Sequence, residues 1–206
     1  CMACVEKCHR NAITIKDDLK YYNALVDTKK CVDCGLCTKV CPRENDNDMS
    51  KPKWWYQGWA DSEIREHASS GGAASAIIRT FIKNGGYVAS CLFYSGKFVF
   101  EVTNEMAVAR KFAGSKYVKS NPEKIYGKIQ SLLKANQKVL FIGLPCQVAA
   151  VNQFIKDKTN LVTADLICHG TPSPYLLKKC IQEYGYDIST LTDISFRIKS
   201  LYELNR

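Results

Sequence analysis

Four cysteines within eleven residues, Cys31, Cys34, Cys37 and Cys41, closed at once by Pro42, constrain this chain more than any other feature. The run reads C-x2-C-x2-C-x3-C-P. That spacing presents three thiolates on one tight loop to the corners of an iron–sulfur cube and sends the fourth to a second cube. Such a run predicts a partner, and Cys1, Cys4 and Cys8 have the spacing of the last three cysteines of the same pattern. The first cysteine of that partner run would fall just before residue 1. A structural zinc site is the plain alternative, but zinc ordinarily takes well-separated pairs rather than four cysteines so close together. A disulfide framework fits less well, because eleven cysteines is an odd count and nothing reads as a secretory signal peptide. Free thiols suit a reducing cytosol, so the expected location is cytoplasmic.

The 206 residues leave room for a small unit and a medium one, and a hydrophobic fraction of 46% is ordinary for a chain that buries a core. No stretch of about 18 apolar residues predicts a membrane span. The net charge of +9 comes from lysines scattered along the chain. Most read as a solvated surface, with attraction to anionic nucleotides or an acidic redox partner as the sharper reading. No basic–aromatic motif points to nucleic acid. Starting without Met and stopping at Arg206, the chain is expected to be truncated at both ends.

Residues 1–48 form the first expected unit. Segments 12–15 and 24–27 read as short strands around a polar turn, separating the two cysteine runs as in a small α+β two-cluster ferredoxin. One cluster then takes Cys8, Cys31, Cys34 and Cys37, and the other takes Cys1, Cys4, Cys41 and the upstream cysteine. His9 stands where the run usually has proline and reads as an exposed replacement. A polar linker, 49–61, carries Trp54, Trp55, Tyr56 and Trp59, expected to pack between the units. From residue 62 to 206 helices and strands alternate, which predicts an α/β domain with some parallel pairing. Its expected helices lie over 73–84, from about 121, over 147–155 and 174–184, with a short one from 104. Its strands are expected over 87–93, 97–103, 139–142 and 161–167. Ala74, Ile77, Ile78 and Phe81 make the predicted buried face of the first helix.

Four loops carry candidate chemistry. Ser69-Ser70-Gly71-Gly72 precedes a helix, where small residues let a phosphate approach free N–H groups, although a plain Ser N-cap explains the same residues. Gly114-Ser115-Lys116-Tyr117 follows a predicted helix and is equally compatible with a solvent loop. Gly143-Leu144-Pro145-Cys146-Gln147 lies where a strand turns into a helix, an edge where α/β sheets bind ligands. Cys168 occupies the matching place after the next strand. A shared cluster and a pair of buried small thiols are both open for these two cysteines. Adjacent residues on extended chain point apart, so His169 is not expected to activate Cys168. Cys91 and Cys180 read as core, and His67 as exposed.

Taken together, Ser-Ser-Gly-Gly, Gly-Ser-Lys-Tyr, Gly-Leu-Pro-Cys-Gln and Cys-His-Gly, in that order, resemble the beta-subunit family of coenzyme F420 hydrogenases and dehydrogenases over about residues 62–200. Members with an N-terminal two-cluster ferredoxin are common, which accounts for residues 1–48. The resemblance implies an iron–sulfur flavoprotein oxidoreductase with FAD in the α/β domain. Ser70, Gly71 and Gly72 would approach the FAD phosphates, and Gly114, Ser115, Lys116 and Tyr117 would line the same pocket. Cys146 and Cys168 match positions that would hold a third 4Fe-4S cluster. A redox partner protein or a hydride-donating cofactor such as F420 would complete the chain of transfer. No side chain is required as a general acid or base, so no catalytic residue is named. A flavin-free electron-transfer adaptor, and a reductase in polysaccharide biosynthesis, are the other readings; oligomeric state is not encoded in any motif.

Overall fold

A computed structural model describes residues 1–45 and 51–197; positions 46–50 of the polar linker region and 198–206 lie outside the described residues. The first unit runs α1 (Ala3–Lys7), β1 (Ile13–Asp17), β2 (Tyr22–Val26) and α2 (Leu36–Lys39). The two strands pair antiparallel with Ile13 opposite Val26, close to the expected segments. Asp18 closes the hairpin by accepting from the N–H groups of Lys20 and Tyr21 at 2.8 and 2.9 Å.

The second unit runs α3 (Ser62–Glu66), α4 (Ala73–Lys83), β3 (Tyr87–Tyr94), β4 (Lys97–Thr103), α5 (Met106–Ala109) extended by a 3-10 turn (Arg110–Phe112), α6 (Ile125–Lys134), β5 (Val139–Gly143), α7 (Pro145–Phe154), β6 (Leu161–Asp165) and α8 (Pro174–Glu183). The sheet order is β4-β3-β5-β6. β3 and β4 form an antiparallel hairpin turned at Ser95-Gly96, whereas β3–β5 and β5–β6 are parallel. The two parallel pairs are each joined through a helix, as crossover connections require.

Every residue of β5 is buried, as expected for a strand covered on both faces. Val139 and Phe141 pack with Ile125, Ile129, Ala150 and Val151 on the side of α6 and α7. Leu140 and Ile142 alternate to the opposite side, where Ile78 and Ala109 cover them. The result is a helix–sheet–helix sandwich.

The first unit adds to one of these layers. Ala3 and Val40 belong to the same buried cluster as Phe141 and Tyr126. Lys7 Nζ sits 4.5 Å from the Phe154 ring centroid. Ser173, the N-cap of α8, donates its hydroxyl to Asp17 at the end of β1. Glu6 accepts from the N–H groups of Tyr126 and Gly127 at 3.2 and 2.5 Å.

Several sequence expectations are corrected. Trp54, Trp55, Tyr56 and Trp59 do not pack between the units: they are 75, 85, 90 and 71% exposed. Aromatic composition signalled burial, but the core layers are already filled by residues of α1, α2, α6 and α7. Cys180 is exposed, because α8 turns only part of its apolar stripe, through Leu177 and Ile181, onto Phe93, Phe98 and Ile188. Ile77 is likewise exposed, and Ile78 carries the burial of α4. Cys91 packs against the core as expected. Asn121, the expected helix start, instead bridges to Val99 of β4, and α6 begins at Ile125 after a turn that leaves Lys124 left-handed.

Candidate functional site

The cluster-binding loops come first. All eleven cysteines are free thiols, so none of the seven in the first unit is committed to a disulfide. The loop from Cys31 to Cys37 is bent by two left-handed residues, Asp33 at φ 52° and Gly35 at φ 69°. Gly35 has nothing within 4 Å of where a Cβ would sit, so backbone conformation rather than crowding calls for glycine. Cys8 Sγ accepts the Ala12 N–H at 3.3 Å, and hydrogen bonds to ligating sulfurs are one of the levers that tune cluster potential. Cys4 is half-buried, and burial followed by the neighbouring Cys41 holds its thiol above the ordinary value. A 4Fe-4S cube takes one thiolate at each of its four irons, and this donor set fits it. Among the described residues no three His, Cys, Asp or Glu side chains converge on a single metal ion.

Cys146 is the second residue of α7, which begins at Pro145, two residues before the expected start at Gln147. Local chemistry fixes that start. Pro145 occupies the first helical position, and buried Gln147 reaches back to accept the Leu144 N–H at 2.8 Å. Gln147 Nε2 donates to Ser120 Oγ at 3.0 Å, which ties the loop to the sheet. Strand register relates the two late cysteines. Gly143 pairs with Asp165 across β5 and β6, and Cys146 and Cys168 each lie three residues beyond that pair. Cys168 Sγ accepts the Gly170 N–H at 3.3 Å. Cys146 also lies within electrostatic reach of the first unit. Together with Cys4 it acts on the Tyr126 hydroxyl, which lies against Cys1. That hydroxyl donates to the Cys1 carbonyl. Burial pushes that phenol far up, with Glu6, Cys146 and Cys4 adding to the shift.

The other loops border a cavity of about 650 Å³, within the size range of small-molecule sites. Ser69 Oγ accepts the Ser115 N–H at 2.7 Å, joining two motifs 46 residues apart. Ser69, Gly114, Ser115 and Lys116 line the cavity, whereas Ser70, Gly71, Gly72 and Tyr117 do not. Gly72 has φ 81°, and a Cβ there would stand 3.1 Å from that of Ala60, so this glycine serves the packing of α4 against α3. Gly71 accepts the Ala60 N–H at 2.7 Å. Lys116 Nζ donates to the carbonyls of Lys111, Phe112 and Ala113 at 3.2, 2.8 and 2.7 Å, capping the 3-10 turn. Burial holds this ammonium below its ordinary pKa, with Cys91 and Asp193 pulling the other way. Tyr117 makes an edge contact with Phe196, ring centroids 5.9 Å apart, and Phe196 in turn lines the cavity.

Sequence reasoning missed Arg79, Arg110 and Phe93, and His67 was read only as exposed; all four line the cavity. Arg79 pairs with Glu63 at 3.2 Å. On the sequence the two arginines look like any basic residue on a solvated face, and Phe93 like an ordinary strand residue.

The fold and cysteine loops define an iron–sulfur unit of the two-cluster type built onto an α/β sandwich. Residues 1–45 match the family model of a 4Fe-4S dicluster domain, and residues 136–205 match that of the C terminus of the coenzyme F420 hydrogenase/dehydrogenase beta subunit. The family resemblance expected from the loop motifs is thereby borne out, as is the pairing of a ferredoxin-like unit with an α/β domain. An uncharacterised protein of Methanocaldococcus jannaschii, MJ1349, is 27% identical over 141 residues, covering 64% of this chain and 39% of that protein. A chain of the F420-reducing [NiFe] hydrogenase complex from Methanosarcina barkeri shares the fold with a TM-score of 0.52 and 18% identity, over 68% of this chain and 53% of that one. This chain thus spans about half or less of the length of either relative. Among the described residues no helix is long and apolar enough to cross a membrane.

Proposed function

We propose that the chain is the electron-carrying and flavin-binding portion of an iron–sulfur flavoprotein oxidoreductase, exchanging hydride with a small carrier such as coenzyme F420. The observation that carries this reading is the cavity where the Ser69 and Gly114–Lys116 loops are bonded together. Arg79, Arg110 and Lys111 give its wall a cationic side suited to a pyrophosphate, and Ile78, Phe93, Met106 and Phe196 give an apolar side suited to a ring. A bound flavin supplies the conversion between two-electron hydride chemistry and single-electron transfer. The residues of this chain bind and orient it and keep water from the ring. Ser115 is fixed by Ser69, and Lys116 holds the end of the 3-10 turn in place. Cys146 and Cys168, at matching ends of neighbouring strands, supply thiolates for a third cluster. The division is then an electron-carrying unit over 1–48, a linker over 49–61 and the flavin unit over 62–206.

Anaerobic purification of the full-length protein, followed by iron, sulfide and flavin analysis, tests the proposal. About one FAD per chain is expected, and Cys168→Ser should remove about four irons. Clusters without flavin would favour a pure electron-transfer adaptor. That second reading draws on a specific observation: the Lys116 ammonium and the Gly72 backbone are both engaged in internal packing.

A further inference from the structure

The two clusters of the first unit are set in unlike surroundings. Cys1, Cys4 and Cys41 are interleaved with Met2, Ala3 and Val40, all buried, and Ala3 and Val40 are part of the α/β core. α1 packs on both α6 and α7, and Cys146 is the second residue of α7. Cys31 and Cys34 stand at the opposite extreme. Both are exposed, and so are their neighbours Val32 and Asp33. Leu25, Val26 and Val32 are 48, 51 and 55% exposed, apolar side chains that the α/β unit does not cover. Lys29, Lys30 and Lys39 are exposed on the segments flanking these cysteines. Of the nearby acids, Asp27 is already engaged by the Lys29 N–H and by Lys30, at 3.0 and 3.7 Å, leaving Asp33 as the exposed carboxylate within the loop.

We propose that the dicluster unit is an oriented relay. The cluster on Cys1, Cys4 and Cys41 is the inner station, against Cys146. The cluster on Cys8, Cys31, Cys34 and Cys37 is an outer port where a small acidic electron-carrier protein docks. Exposed apolar side chains beside the loop, Val26 and Val32, supply contact area, and the lysines supply attraction and orientation. A net charge of +9 on the whole chain steers an anionic partner over longer range. Each encounter moves one electron between the outer cluster and the carrier, so one is oxidised as the other is reduced, and no bond or proton changes place. The proposal rests on the iron–sulfur reading and is independent of flavin binding.

The test uses full-length protein with clusters assembled, reduced by dithionite so that no flavin is needed. Stopped-flow transfer to an acidic plant-type [2Fe–2S] ferredoxin should slow at least about tenfold in Lys29→Glu/Lys30→Glu and lose most of its dependence on salt. Lys134→Glu, on the far end of α6, should leave the rate unchanged. Cys34→Ser and Cys4→Ser assign the EPR signals to the outer and inner clusters. An added dysprosium chelate should then enhance relaxation of the outer signal more strongly than the inner one. Equal rates in the lysine variants, or stronger relaxation of the inner signal, would overturn the proposal. Absence of flavin alone would overturn only the flavoprotein reading and leave this result standing.

Discussion

α6 has no side-chain cap of its own: its N-cap residue, Lys124, is left-handed at φ 65°. Glu6, 120 residues away, takes over the task by accepting from Tyr126 and Gly127. Because the donors are the second and third helical N–H groups, the geometry is that of an N-cap supplied from another unit. Glu6→Ala would leave those amides without a partner in a half-buried seam. Loss of a cap costs about 0.5–2 kcal/mol, and hydrogen bonds to a charged group are worth about 1.5–3 kcal/mol. A loss of about 1–3 kcal/mol, shared between α6 and the seam, follows from the overlap of these ranges. For a chain of this size that corresponds to roughly 2–10 °C in Tm. Calorimetry on the anaerobic holoprotein measures the total, and hydrogen exchange at the Tyr126 and Gly127 amides locates it. Glu6→Gln should recover part of the loss, since its carbonyl oxygen still accepts. An unchanged Tm together with unchanged exchange at those two amides would refute the capping argument.

Gly72→Ala should cost about 1–2 kcal/mol from the left-handed backbone alone, with the 3.1 Å approach to Ala60 Cβ adding to it; thermal unfolding measures this. Ser69→Ala removes the bond to Ser115 and should weaken FAD binding about fivefold, from a loss of about 1 kcal/mol, read by fluorescence titration of flavin-depleted protein. Burial pushes the Cys91 thiol up to about 11, with Lys116 and a Ser120 hydrogen bond opposing the rise. A raised acid holds its proton longer in the folded chain, so Cys91 should make stability fall as pH rises from about 9 to about 11. Cys91→Ala should flatten that slope in denaturant titrations. Lys116→Met strips three carbonyls of their donor and should destabilise the 3-10 turn by about 1–3 kcal/mol, visible as faster exchange across 110–113.

Legibility followed the range of the interactions. The cysteine spacing, the Pro42 stop and the β1–β2 hairpin depend on residues a few positions apart, and the sequence reading found them. The same holds for β5, whose apolar run and following Pro145 mark both its burial and the helix start. Tyr126 and Glu6 depend on partners more than a hundred residues away, and neither shows a local signal; Ser69 stands out in its turn, but its bond to Ser115, 46 residues on, does not. The tryptophans of the linker failed for the opposite reason. Their composition argues for burial, but whether a surface exists to receive them depends on which helices already fill the layer. Cys146 shows both cases at once. Its place at a strand-to-helix turn was legible, whereas its approach to Cys1 depends on α1 docking against α7.

That docking has a physical cause in the size of the first unit. A segment of 45 matched residues encloses too little interior to stabilise itself on apolar burial. Clusters supply part of the deficit, since ligand binding and folding are coupled. The remainder comes from a shared core, in which Ala3 and Val40 are buried among Phe141, Tyr126 and Val151. Each of these two residues precedes a cysteine, Cys4 and Cys41. The inner cluster is therefore held by the packing of the α/β sheet rather than by the linker, whose described tryptophans make no such contact with the core. Rigid placement of this kind fixes the separation between Cys146 and the inner cluster, and a relay depends on that separation. The same argument leaves the outer loop free of core contacts, which suits a surface that must release its partner after each encounter.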